Sequence, residues 1–305
     1  GLAPLALGGD TGGSVRAPAA LNGVVGYKPS SGLISRAGCL PLSETLDVLG
    51  PIARSVADAR LLTQVLAGPD IDDVATLDVS AASIAALRRP APRRAGAIAA
   101  LAPQAWPAAL ADEGLRIWHE AQERLDQAGV SPATWHPPAS LSFARMADDN
   151  SLVLAYEAYR HFGHLAEDPT QPLWEVVRAR IAAGGRIAPA DYAAALQRRQ
   201  ADMAAFAAAM QGVDALLMPA CDQAAQALDT ADVRHAGLGR LLRPANFLGA
   251  AAIALPAGFD ADGMPMAVQL LAPAGADAAL LDCAAALERI LAPVMRTPEL
   301  SAWNL

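Results

Sequence analysis

Four of the nine residues from Gly8 to Arg16 are glycine, and they follow directly on the apolar run Leu5-Ala6-Leu7. A strand that feeds straight into such a loop leaves the chain few choices. Without Cβ atoms the backbone turns sharply, and several N–H groups can converge on one point as an anion-binding nest. Such a nest holds a phosphate or the oxyanion of an acyl-transfer intermediate. A phosphate loop of the Walker type needs lysine where Ser14 stands. A dinucleotide-binding fingerprint needs a G-x-G-x-x-G spacing that the stretch lacks. What remains is the Ser14 hydroxyl directly behind two glycines, the arrangement that a serine nucleophile needs with oxyanion donors beside it. A plain glycine turn with Ser14 as a cap fits the same residues.

The rest of the chain predicts a large α/β unit. Hydrophobic residues make up 53% of the 305 and charged residues 18%, which excludes disorder and calls for a large core. The net charge of −8 argues against a nucleic acid or an anionic membrane as partner. No apolar stretch is long enough to span a bilayer as a helix. Cys39, Cys221 and Cys283 are far apart and odd in number, so they fit neither a disulfide framework nor a metal cluster. The pattern predicts a short buried strand entering the glycine loop, then a helix over "SVADARLLTQVLAG" with Ser55 as N-cap and Gly68 as stop. Further strands are expected in "AGAIAAL", "VDALLMPA", "AAIALPAGF" and "MPMAVQLLAP", and an edge strand in "VSPATWHPP". Helices are expected in "ALADEGLRIWHEAQERLDQAG", through most of 145–210 and in "DAALLDCAAALERILA". Arg178, Arg180 and Arg186 read as a solvated helix face, and Met218, Met264 and Met266 as core.

The residues Asp10-Thr11-Gly12-Gly13-Ser14-Val15-Arg16-x-Pro18-Ala19 begin a longer pattern. It continues with Gly23-x-x-Gly26-Tyr27-Lys28-Pro29 and Gly32-Leu33-Ile34-Ser35-Arg36-x-Gly38, then Pro41, Asp47, Gly50-Pro51 and Arg54. Together with "VDALLMPA" and "RPANFLGAAAIALPAGF…GMPMAVQLLAP…ALLDCAAALE", this resembles the amidase signature family closely and over nearly the whole chain. The resemblance implies one α/β domain over 1–305, with a mixed, twisted sheet covered by helices on both faces. Within it, 1–70 would be the signature block, 145–210 a variable helical region, and 211–305 the C-terminal sheet and helix block.

The family hydrolyses amides with a Ser–cis-Ser–Lys triad, so the resemblance places the nucleophile at Ser14. It places the oxyanion donors at the backbone N–H groups of Thr11, Gly12, Gly13 and Ser14. Asp10 and Arg16 are expected to hold the loop, either as scaffold or as an ordinary loop ion pair. A lysine base working through a serine needs no histidine, so His119, His136, His161, His164 and His235 are expected on the surface or in packing. Ser35 and Ser43 are expected to cap turns, and Cys39 to be inert near the pocket. No metal or cofactor is implied, and the expected partner is a small-molecule amide in the cytoplasm. The lysine and the cis-serine lie upstream of the nucleophile in the family, whereas the thirteen residues before Ser14 contain neither type. Lys28, the only lysine, falls in "GYKPSSG", where the family has a structural lysine.

The chain opens at Gly1 in the middle of a strand–loop unit, so an N-terminal truncation is expected. An apolar face would then be open, and a homodimer is one expected consequence. In the glutamine-specific A subunits of tRNA-dependent amidotransferases, an acidic residue ahead of the "PAN" motif recognises the substrate α-amino group. Residues 236–243, "AGLGRLLR", contain no carboxylate and leave room for a neutral or anionic amide. An amidase fragment is therefore the leading expectation, with an A subunit-like amidotransferase and a non-catalytic remnant or binding module as the alternatives.

Overall fold

Apolar residues alternate on the strands so that one sheet carries a core on each face. In the computed structural model, residues 3–89, 95–229 and 237–291 are described. The strands are β1 (Leu5–Asp10), β2 (Val25–Lys28), β3 (Val48–Ala53), β4 (Ile98–Leu101), β5 (Ala133–Trp135), β6 (Ala215–Pro219), β7 (Ala251–Phe259) and β8 (Pro265–Ala272). They form a single sheet in the order β1-β3-β2-β7-β8-β6-β4-β5. β4 runs parallel to both β5 and β6, and the other neighbours are antiparallel, so the sheet is mixed as expected.

Ten α-helices are assigned among the described residues: α1 (Arg16–Leu21), α2 (Val56–Leu66), α3 (Ala81–Leu87), α4 (Asp112–Gln127), α5 (Phe143–Glu167), α6 (Glu175–Gly184), α7 (Pro189–Ala209), α8 (Gly237–Arg240), α9 (Arg243–Phe247) and α10 (Asp277–Leu291). The period-two alternation of side chains decides which helix meets which strand residue. Leu217, Ile253, Leu255 and Leu270 face α2, α4 and α10. Leu216, Met218, Ala252 and Leu271 face α5, α7 and α9. β7 and β8, buried on both sides, are apolar for that reason apart from Gln269 in β8.

Local signals account for most boundaries. The Ser55 hydroxyl accepts the Asp58 N–H at 3.1 Å at the start of α2, as its N-cap position predicts. Beyond α4 the chain reverses at Gly129, whose φ of 76° favours glycine. Three expectations need correction. The first strand is an edge rather than a buried element, and Leu7 is 48% exposed. Its apolar residues follow a pattern that a sheet edge satisfies on one side only. Arg178 is no solvated residue either: its guanidinium donates to the carbonyls of Leu165, Ala166, Asp168 and Gln171, tying α6 to the open C-terminal end of α5. Met264 is 37% exposed at the β7–β8 turn, whereas Met218 and Met266 are core. Among the described residues no helix is long and apolar enough to cross a membrane.

Lys28, at the end of β2, is completely buried, and its Nζ donates to the Pro29 carbonyl at 2.8 Å. Burial, reinforced by the charge of Arg16, lowers its pKa from 10.5 to about 7, against the pull of Asp10 and Asp277. Between those two pH values the folded chain binds fewer protons at this site than the unfolded chain. Stability therefore rises with pH across the window and levels off below it, where Lys28 is protonated in both states. Lys28→Met is expected to remove this rise, whose limiting slope is about 1.4 kcal/mol per pH unit. Urea denaturation of both proteins from pH 6 to pH 9 measures the difference. Parallel stability curves would contradict the assignment.

Candidate active site

β1 delivers the glycine loop at its C-terminal end, and α1 begins at once behind it. Gly13 makes this tight joint possible. Its φ is 117°, and a Cβ there would lie 2.6 Å from a methyl of Leu242, so no other residue fits. The Asp10 carboxylate accepts the N–H groups of Gly13 at 2.7 Å, Val15 at 3.3 Å and Arg16 at 3.4 Å. Gly13 must therefore be corrected as an oxyanion donor, because its N–H is turned inward to Asp10. Among the described residues, the N–H groups of Thr11, Gly12 and Ser14 make no hydrogen bond. Ser14 itself is exposed, between buried Gly13 and buried Val15.

The inward side of the loop is a fully buried polar cluster. Arg16 Nε and Nη2 bond the two oxygens of Asp10, both at 3.0 Å. Nη2 also donates to Asn246 Oδ1 at 2.6 Å, and Nη1 to the Leu242 carbonyl at 2.9 Å and Gln269 Oε1 at 3.1 Å. All five guanidinium N–H groups are thus used. Asn246 returns its amide to the Asp10 carbonyl and carboxylate, and Gln269 donates to the carbonyls of Pro219 and Leu241. Burial pushes the Asp10 pKa upward, but Arg16, Lys28 and Asn246 outweigh it and bring it down to about 2. Asp10 and Arg16 form a buried ion pair, and Asp10 also accepts the loop N–H groups of Gly13, Val15 and Arg16.

Ser14 opens onto a cavity of about 430 Å³, lined also by Gly9, Thr11, Cys39, Leu42 and Asp47. Asp47 fixes its wall by accepting the Thr11 hydroxyl at 2.5 Å and the N–H groups of Leu42 and Ser43. The Ser43 hydroxyl donates to Glu157 on α5, which also accepts from Thr45 and Tyr192. Ser43 is therefore a buried tie between the cavity wall and α5, whereas Ser35 bonds Asp70 at 2.6 Å. Cys39 is exposed in the cavity wall, as its position near the pocket suggested. None of the described histidines lines this cavity; His161 sits 2.9 Å from Glu44, and His235 lies outside the described residues. Among the described residues no group of three His, Cys, Asp or Glu is arranged to hold a metal ion.

Several contributors had no local signal. Gln269 reads as an ordinary strand residue, and Glu157 and Asn150 as ordinary positions on α5. Asn246 lies in the "RPAN" motif, but only the fold brings it to Asp10.

A family model described as Amidase matches residues 1–281. The chain is 33% identical over 319 residues to the A subunit of the Glutamyl-tRNA(Gln) amidotransferase of Cutibacterium acnes, covering 95% of this chain and 63% of that protein. A solved structure described as an amidase superposes with a TM-score of 0.80 at 29% identity, covering 94% of this chain and 63% of that one. The A subunit of the Glutamyl-tRNA(Gln) amidotransferase of Thermotoga maritima superposes with a TM-score of 0.72 at 27% identity, covering 94% and 62%. The chain thus spans a little under two thirds of the length of each.

Replacing Asp10 by Asn would leave the buried Arg16 guanidinium without its counter-charge. Breaking one partner of a buried ion pair costs about 3–5 kcal/mol. Chemical denaturation of Asp10→Asn should show a loss of that size at pH 7. Because the Asp10 pKa is depressed in the fold, its own contribution is present above its ordinary value of 3.8. It should disappear as pH falls through about 2. A loss below about 1 kcal/mol would place the weight of the cluster elsewhere.

Proposed function

The chain belongs to the amidase family, and on that premise we propose that it carries the nucleophile and oxyanion loop of an enzyme that hydrolyses carboxylic amides. The observation that carries the reading is the split orientation of one loop. Gly13 N–H and the Asp10–Arg16 pair meet in the buried layer, while Thr11 and Ser14 line the cavity and the N–H groups of Thr11, Gly12 and Ser14 are left unbonded. In this reading the Ser14 hydroxyl oxygen adds to the amide carbon. The carbonyl oxygen takes up the negative charge and is held by the N–H groups of Thr11, Gly12 and Ser14. The serine proton passes to a base and then to the departing nitrogen, the C–N bond breaks, and the acyl group stays on Ser14 until water releases it.

The family's lysine and relay serine are the proposed route for that proton. Within these 305 residues neither type precedes Ser14. Lys28 does not fill the role: its Nζ is sealed from the cavity and engaged by the Pro29 carbonyl. With its pKa lowered to about 7 the amine is partly deprotonated at neutral pH, yet Lys28 does not line the cavity onto which Ser14 opens. A protein that supplies the upstream pair is therefore the expected active form.

A second reading, the glutamine-using component of a tRNA-dependent amidotransferase, is favoured by the names of the relatives. The absence of a carboxylate from 236–243 speaks against it.

A fluorophosphonate reagent is expected to label Ser14 in the protein that includes the upstream pair, with Ser14→Ala abolishing both labelling and turnover. Hydrolysis of a simple aryl amide by the 305-residue chain alone should be orders of magnitude slower, because an unassisted hydroxyl is almost wholly protonated. Robust Ser14-dependent turnover by this chain would show that another base acts here. Turnover that survives Ser14→Ala would sink the nucleophile assignment.

A further inference from the structure

Arg199, on α7, is a half-buried guanidinium that the fold surrounds without giving it a partner. Its Nε is buried and makes no hydrogen bond among the described residues. Burial lowers its pKa below the ordinary arginine value, and the charge of Glu157 acts against that shift. Glu157 is nevertheless closed to it as an acceptor. Oε1 takes the hydroxyls of Thr45 and Tyr192, and Oε2 takes the Ser43 hydroxyl and the Thr45 N–H. A carboxylate offers about four lone-pair sites, and all four are in use. A guanidinium enclosed in this way is costly to keep unless an anion meets it.

A second unpartnered donor lies beside it. Ser31 Oγ, just beyond β2, is buried and makes no hydrogen bond among the described residues. Gly249 brings the two groups together. It accepts the Ser31 N–H at 3.2 Å, and a Cβ on it would lie 3.4 Å from Arg199 Nη2 and 3.4 Å from Ser31 Oγ. With a φ of 59° the position favours glycine, so no side chain of its own comes between them. Met203, one turn along α7, closes a third side with its methyl group 3.5 Å from the same point. Lys28 feels the same guanidinium: after burial and Arg16, Arg199 further lowers its pKa. Two cations therefore share this region, and the carboxylate of Glu157 has no free oxygen to give either.

We propose that Arg199 and Ser31, gathered over Gly249, form a binding site for a small monovalent anion, with chloride as the physiological occupant. The donor set argues for that class. One guanidinium edge, one hydroxyl and a methyl group suit a weakly hydrated halide, whereas a phosphate or sulfate would keep most of its oxygens unmet. The ion would tie α7 to the turn after β2 and to the segment behind α9, whose Asn246 bonds Asp10. The inference does not depend on the reading of Ser14 as nucleophile.

The test uses the protein with its upstream residues present and compares thermal denaturation in sodium chloride and in sodium gluconate at equal ionic strength. Wild type should gain about 2 °C or more in chloride, and the gain should saturate in the millimolar range. Arg199→Gln should abolish the difference between the two salts. Ser31→Ala keeps the charge and removes a single oxygen, so it tests the site even where Arg199→Gln does not fold. It should need a roughly tenfold higher chloride concentration for the same gain. Diffraction from crystals soaked in sodium bromide should place an anomalous peak in contact with both Arg199 and Ser31. Equal melting temperatures in the two salts would overturn the proposal, as would a bromide-soaked crystal with no peak there, which would leave ordinary water on these donors. A gain that saturates only in the molar range would mean an adventitious ion only, and would overturn it too.

Discussion

The Asp10–Arg16 ion pair governs the geometry around the candidate site because nothing in it touches water. A buried guanidinium is tolerated only when its charge is met and its donors are filled, and here all five are filled by Asp10 and by groups from two distant segments. Each partner is therefore constrained in turn. Leu242 must present its carbonyl, Gln269 must hold its amide in one orientation, and Asn246 must sit within reach of both Asp10 and Arg16. The exposed serine gains its precision from this inaccessible layer. A loop of glycines would otherwise be among the least ordered parts of a chain.

A second set of carboxylates does the same for the cavity wall. Asp47 gathers the Thr11 hydroxyl and two backbone N–H groups, and Glu157 gathers Ser43, Thr45 and Tyr192. The helix that bears Glu157 also bears Asn150, whose Nδ2 reaches the Thr11 carbonyl at 3.4 Å, and packs over α9. The nucleophile loop, the wall opposite and the segment carrying Asn246 are thus referenced to one helix, α5. Movement of α5 would shift all three together and preserve their relative placement.

The elements most easily read from the sequence are those whose burial is one-sided and periodic. α2, α4 and α10, the edge strand at Ala133–Trp135 and the two long strands β7 and β8 all follow from spacing and caps. The glycine loop was legible as a nest, but the inward turn of Gly13 was not. It depends on Asp10 curling back over three residues, and the spacing Asp10–Gly13 is common to turns of many kinds. Arg178 illustrates the same limit: a helix surface position looks solvated until a neighbouring helix end offers open carbonyls. β1 looked buried because apolar residues mark a strand without saying whether it has one neighbour or two. Gln269 and Asn150 act through contacts between remote segments, and no local pattern encodes those.

The hydrogen bonds that complete the Arg16 cluster join residues 226, 230 and 253 positions apart. Chain growth makes this separation a matter of time. At roughly 5–20 residues per second, the ribosome emits Gln269 some 10–50 seconds after the nucleophile loop has emerged. Throughout that interval Arg16 has Asp10 but none of its other partners, and the loop waits beside an incomplete sheet. Local helices such as α4 and α5 close early, whereas this cluster belongs to the class of long-range contacts that form late. The nucleophile loop is therefore made long before it can be finished, and an unfinished chain carries an idle serine.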